Sequence, residues 1–93
     1  MRRLITTDVL KISSNVTIIN QQSGVVELHS FHKIFVFSGT SAAIIKNING
    51  EKNIGEIVEA LSSIYSSDSS VILRDVITFI REMMDKKIIT YVE

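Results

Sequence analysis

The sequence predicts an α+β domain of winged-helix type, built as a three-stranded antiparallel sheet followed by three helices. Three observations lead there. The first third of the chain is rich in β-branched and aromatic runs separated by turn residues. The remainder carries three apolar runs at helical spacing, each preceded by a capping residue. No linker or internal repeat interrupts the 93 residues, so residues 1–93 read as a single domain.

The elements follow in order. Val9 to Ser13 suits an extended segment. Val16, Thr17, Ile18 and Ile19 are β-branched throughout and form the first strand of the meander. Asn20 to Gly24 supplies turn residues, and Val25 to His29 reads as the second strand. Ser30 to Lys33 makes the next turn without a glycine. Ile34 to Phe37 is the third strand. Short connections imply antiparallel pairing, which leaves the third strand at an edge.

Ser38 caps a helix that runs to Ile48, where Asn49-Gly50 stops it. Asn53 caps the second helix, with Glu56 three residues on as its capping-box partner. Ile54, Ile57, Val58, Leu61 and Ile64 give that helix its apolar stripe. Asp68 caps the third helix, from about Ser69 to Lys86, and Lys86-Lys87 place positive charge at its C-terminus. Ile88 to Val92 ends the chain as a β-like segment.

The third helix has more apolar surface than one packing contact needs. Ile72, Val76, Phe79 and Met83 form one stripe, and Leu73, Ile77, Ile80 and Met84 a second beside it. At about 100° per residue they span roughly 160°, where a surface helix shows a stripe of about 100°. One stripe is expected on the first two helices. The other meets the sheet, a partner or a bound peptide, with Arg74 and Arg81 at its rim. The uncharged edge Ile34-Phe35-Val36-Phe37 offers unpaired N–H and C=O groups that a peptide can extend. Packing is the more ordinary explanation of the apolar arc, with both stripes as core, and the edge can be guarded by Lys33 or covered in a homodimer.

From Val25 onward the chain resembles the PqqD-like family of leader-recognition domains. The resemblance is carried by Phe37-Ser38-Gly39-Thr40-Ser41-Ala42-Ala43-Ile44-Ile45, then Asn49-Gly50, then Glu56-Ile57-Val58 with Leu61 and Tyr65. Asp75-Val76, Phe79-Ile80 and Ile88-Ile89 complete it. It covers about two-thirds of the chain, and its specificity lies in the order and spacing of the pieces. Ser38 stands where the family prefers Asn, Ser41 where it prefers Gly, Ile45 where it prefers Trp and Lys87 where Gly is frequent. These departures point to a divergent peptide-pathway member rather than a typical cofactor-pathway one.

The resemblance implies non-catalytic capture of the leader of a ribosomal precursor peptide, added as a fourth strand to the third strand beside the third helix. Under it Lys33, Ile34, Phe35, Val36 and Phe37 donate backbone pairing. Leu73, Ile77 and Met84 receive apolar side chains, and Arg74 and Arg81 meet carboxylates. Phe35 and Phe37 share one face of the strand and Ile34 and Val36 the other; alternation alone does not say which lines the cleft. The implied partners are the leader and a modifying enzyme: a radical enzyme, a cyclodehydratase or a leader peptidase.

Two other readings compete. A winged-helix DNA-binding regulator would use the third helix for recognition and Ile88 to Val92 in the wing. Ten basic and ten acidic residues cancel, which argues against nucleic acid. A structural module would pair its edge strands as a homodimer. No catalytic signature appears: no Gly-x-Ser-x-Gly elbow, no phosphate loop, no cysteine, and His29 and His32 without clustered ligands. No cofactor or metal is expected. The longest apolar runs fall far short of the ~20 residues a bilayer requires, and no signal peptide is read at Met1 to Ile5, so a cytoplasmic protein is expected.

Overall fold

A computed structural model describes residues 3–20, 24–30 and 33–92. The elements run β1 (Leu10–Ile12), β2 (Thr17–Asn20), β3 (Val26–His29), β4 (Ile34–Phe37), α1 (Gly39–Asn47), α2 (Ile54–Ile64), α3 (Ser69–Asp85) and β5 (Ile89–Tyr91). The predicted meander is present as the antiparallel sheet β2-β3-β4, with β4 at an edge. Phe31 and His32 of the predicted Ser30–Lys33 turn lie outside the described residues. So do Gln21 to Ser23 of the preceding one.

Strand alternation divides this sheet cleanly. The pairs Val26↔Phe37 and Leu28↔Phe35 share one face. Val26 and Leu28 are fully buried there, and Phe35 and Phe37 pack against the same core. The other face carries Ile34 and Val36, exposed at 62% and 63%. Phe35 and Phe37 thus point inward to the core, and Ile34 and Val36 outward.

All three helices start at the predicted caps. Ser38 precedes α1 in extended backbone, though its side chain makes no capping bond. Asn53 and Glu56 form the full capping box, each side chain bonding the other's backbone N–H at 2.8 and 2.9 Å. Asp68 accepts from the Ser70 N–H at 2.9 Å and its hydroxyl at 3.0 Å, and these bonds hold its carboxyl below the usual carboxylate pKa. Lys87 closes α3 in the left-handed region, at φ 62°.

A second sheet joins the two extended segments that the sequence left unpaired. β1 and β5 are antiparallel, with Leu10 opposite Tyr91 and Ile12 opposite Ile89. Leu10, Ile88 and Ile89 are almost completely buried. The segment before β1 is also tied down. Asp8 O accepts from the Ile54 N–H at 3.0 Å and Thr6 O from the Gly55 N–H at 2.9 Å. The C-terminal segment thus pairs with the N-terminal one and does not stand out as a free hairpin. Among the described residues no helix is long and apolar enough to cross a membrane.

Candidate functional site

The edge of β4 is defined by its hydrogen-bond phase. Ser30 and Lys33 exchange backbone bonds at 2.9 and 3.4 Å, closing the β3–β4 hairpin with a bonded pair. In an antiparallel ladder bonded and non-bonded pairs alternate. Leu28↔Phe35 and Val26↔Phe37 are consequently bonded pairs, while His29↔Ile34 and Glu27↔Val36 are not. The N–H and C=O groups of Ile34 and Val36 therefore project from the open side of β4. No strand among the described residues takes them up. A peptide laid along this edge would find two donors and two acceptors at strand spacing.

β4 reaches α3 through aromatic rings. Phe35 and Phe37 stack at a centroid distance of 6.4 Å. Phe37 meets Phe79 edge-on at 5.5 Å, a favourable quadrupole arrangement. Phe79 lies one helical turn beyond Asp75 and two beyond Val71, so these three share one flank of α3.

The predicted α3 residues are distributed differently. Ile72, Val76, Ile80 and Met83 form the buried stripe. Ile80 therefore belongs with the core, while Phe79 is only half-buried at its margin. Leu73, Ile77 and Met84 are half-buried on the opposite margin, at roughly 120–160° from Phe79 by helical geometry. Arg74 and Arg81 are exposed beyond them, and Arg74 Nε lies 4.0 Å from Asp75 Oδ1. The structure thus brings Phe37 to Phe79, and leaves the Leu73–Ile77–Met84 shelf on the other side of the core stripe. The sequence places Phe79 in the stripe with Ile72, Val76 and Met83 and does not single it out as a site residue. The signal available was its place at the border of the apolar arc, next to Asp75 and Glu82.

The exposed face of the sheet carries one polar pair. His29 Nε2 and Glu27 Oε1 lie 2.8 Å apart on β3, between exposed apolar residues of β2 and β4. Among the described residues no group of three or more His, Cys, Asp or Glu is placed to hold a metal.

Comparison with known proteins decides the family. The family model described as coenzyme PQQ synthesis protein D (PqqD) matches residues 18–89. The chain belongs to the PqqD family. This PqqD-family chain is 30% identical over 57 residues to a PqqA binding protein of Gluconobacter oxydans (strain 621H). The match spans 61% of the chain and 59% of that relative, so it covers only about three-fifths of the curated protein.

Among solved structures, the domain resembles TbiB1 in complex with the TbiA(beta) leader peptide. The TM-score is 0.79 and the identity 26%, covering 89% of this chain and 99% of that one. It also superposes on the PqqD truncation of Methylobacterium extorquens PqqCD, a stand-alone RiPP recognition element. There the TM-score is 0.77 at 17% identity, over 94% of each chain, a likeness of fold. The heterocyclase TruD contains a similar fold in 12% of its chain, with a TM-score of 0.65 at 20% identity. Of these similar proteins, one is a PqqA binding protein, one a stand-alone recognition element and one is seen with a leader peptide bound.

Proposed function

We propose that this PqqD-family domain is a non-catalytic recognition element that captures the leader of a ribosomally synthesised precursor peptide as a fourth strand on β4. It then presents that peptide to a modifying enzyme or leader peptidase. The observation that carries this reading is the open edge of β4, where Ile34 and Val36 direct their backbone groups outward beside the Phe37–Phe79 junction. The TbiB1 likeness, to a protein bound to a leader peptide, supports it.

In this reading Lys33 to Phe37 supply the pairing strand. The sheet gains a strand whose backbone groups are satisfied on its inner side, while Phe35 and Phe37 keep that end of the sheet anchored to the core. The α3 wall supplies side-chain contacts. Phe79 stands on the flank that β4 touches. Leu73, Ile77 and Met84, with Arg74 and Arg81, form a second apolar shelf with a basic rim, suited to a leader segment carrying apolar and acidic residues.

The test is a titration with the leader of the short precursor encoded nearest this chain's own gene, comparing Val36→Pro with Val36→Thr. Proline removes an outward N–H and leaves the β3–β4 bonds intact, as edge strands tolerate. Threonine keeps the donor. Losing one hydrogen bond of about 1–1.5 kcal/mol weakens binding roughly tenfold. Val36→Pro is expected to show at least that loss with an unchanged fold, and Val36→Thr little change. Equal binding by both would remove strand addition at β4.

A homodimer through the same edge is the competing use of β4. Light scattering separates the two: strand pairing between copies predicts a dimer that leader dissociates, and leader capture by a monomer predicts a one-to-one complex.

A further inference from the structure

The leader-binding reading leaves open what the site selects. A cavity of about 90 Å³ lies where α1, α2 and α3 converge. Its floor is Leu61 and Ile72, both buried, and its walls are Tyr65 and Val71. Thr40, Ser67 and Asp75 line it as well.

Its position is the informative feature. Thr40 follows the last residue of β4 by three positions. Asp75 precedes Phe79 by about one helical turn, about 6 Å along the axis. The cavity therefore adjoins the Phe37–Phe79 junction, three residues of chain from the end of β4 and one turn along the same flank of α3. A strand advances about 3.3 Å per residue. Three residues of chain span at most about 10 Å, so Thr40 lies within that distance of Phe37, and a leader running a few residues past Phe37 is long enough to reach it.

Its size narrows the occupant. A cavity of about 150 Å³ accommodates the six carbons of benzene. By proportion, 90 Å³ accommodates about four heavy atoms. That matches the branched side chain of leucine, isoleucine or valine and is too small for an aromatic ring. The buried apolar floor rewards such a side chain, while Asp75 opposes an acidic residue beside it.

Resting on leader capture at β4, we infer that this cavity is an anchor site for one branched aliphatic side chain of the leader, and that it determines which leader the domain accepts.

The experiment fills the cavity from two sides, with Val71→Phe and Thr40→Phe, and measures binding of the same precursor leader by calorimetry. Val71 and Thr40 are both exposed, so the folded domain has room for either change. Both variants are expected to keep the wild-type melting temperature and to lose at least tenfold in affinity. An alanine scan of the leader is run on the wild type and on Val71→Phe. One aliphatic leader position should matter to the wild type and cease to matter to the variant, the sign of direct coupling. Replacing that residue by phenylalanine should weaken binding to the wild type and be partly rescued by Val71→Ala.

If both filled variants bind like the wild type while Val36→Pro loses at least tenfold in affinity, the anchor is overturned and strand capture stands. If the wild type itself does not bind the leader, both fall together.

Discussion

The direction of individual backbone groups at Ile34 and Val36 decides what β4 can do. Their side chains are exposed on the outer face, and their N–H and C=O groups point to the open edge. Two other residues make separate predictions. Lys87 adopts φ 62°, a conformation costing an L-residue about 1–2 kcal/mol. Lys87→Gly removes that penalty, and chemical denaturation is expected to show a gain of about 1 kcal/mol after glycine's greater unfolded-state freedom is subtracted. Asp68 caps α3 with a carboxyl held below its usual pKa by the Ser70 N–H and hydroxyl. A depressed folded pKa adds stability above the unfolded value and loses it as pH falls through the folded one. Wild type and Asp68→Asn should therefore differ most near neutral pH, and the difference should shrink below the ordinary aspartate range. Melting curves from pH 7 to pH 2 check this.

Among the elements, the helices and the meander were legible because their signals are local. The Asn53–Glu56 capping box is a pattern of adjacent residues, and it forms as the spacing predicts. Asn53→Ala should cost about 1 kcal/mol, read from the denaturation midpoint. The side of α3 that meets β4 was not legible. Helical spacing shows that Phe79 and Ile77 bound the same apolar arc, but not which margin faces a strand more than 30 residues earlier in the chain. Only the Phe37–Phe79 contact answers that. The α3 half of the site is tested by Ile77→Glu beside Phe79→Ala. A leader held on the Leu73–Ile77–Met84 shelf loses affinity with Ile77→Glu and a retained melting transition. A leader held against the β4-facing flank loses it with Phe79→Ala instead. A collapsed transition in either variant marks that residue as core.

For the molecule as a whole, the β1–β5 pair is the feature that sequence patterning described least well. β1 and β5 are three residues each, too short for alternation to establish a partner 77 positions away. Their pairing buries Leu10 and Ile89 and links the region before the PqqD match to the end of α3. Leu10→Ala is expected to cost about 2–5 kcal/mol, as for a fully buried leucine, with thermal unfolding as the readout. β1, with Thr6 and Asp8 before it, is thus bonded to elements inside or at the end of the matched region. The neutral charge balance adds a further expectation: leader binding should depend on salt far less than the steep, multi-charge dependence of a nucleic-acid binder.

Whether a leader peptide pairs with the open edge of β4 is read from amide hydrogen exchange of Ile34 and Val36, followed by NMR with and without saturating leader. These two amides should exchange quickly in the free protein and slow sharply on binding, while those of Phe35 and Phe37, already bonded to β3, change much less. Bound leader with Ile34 and Val36 still exchanging at the free rate would contradict strand addition and place the peptide elsewhere on the domain.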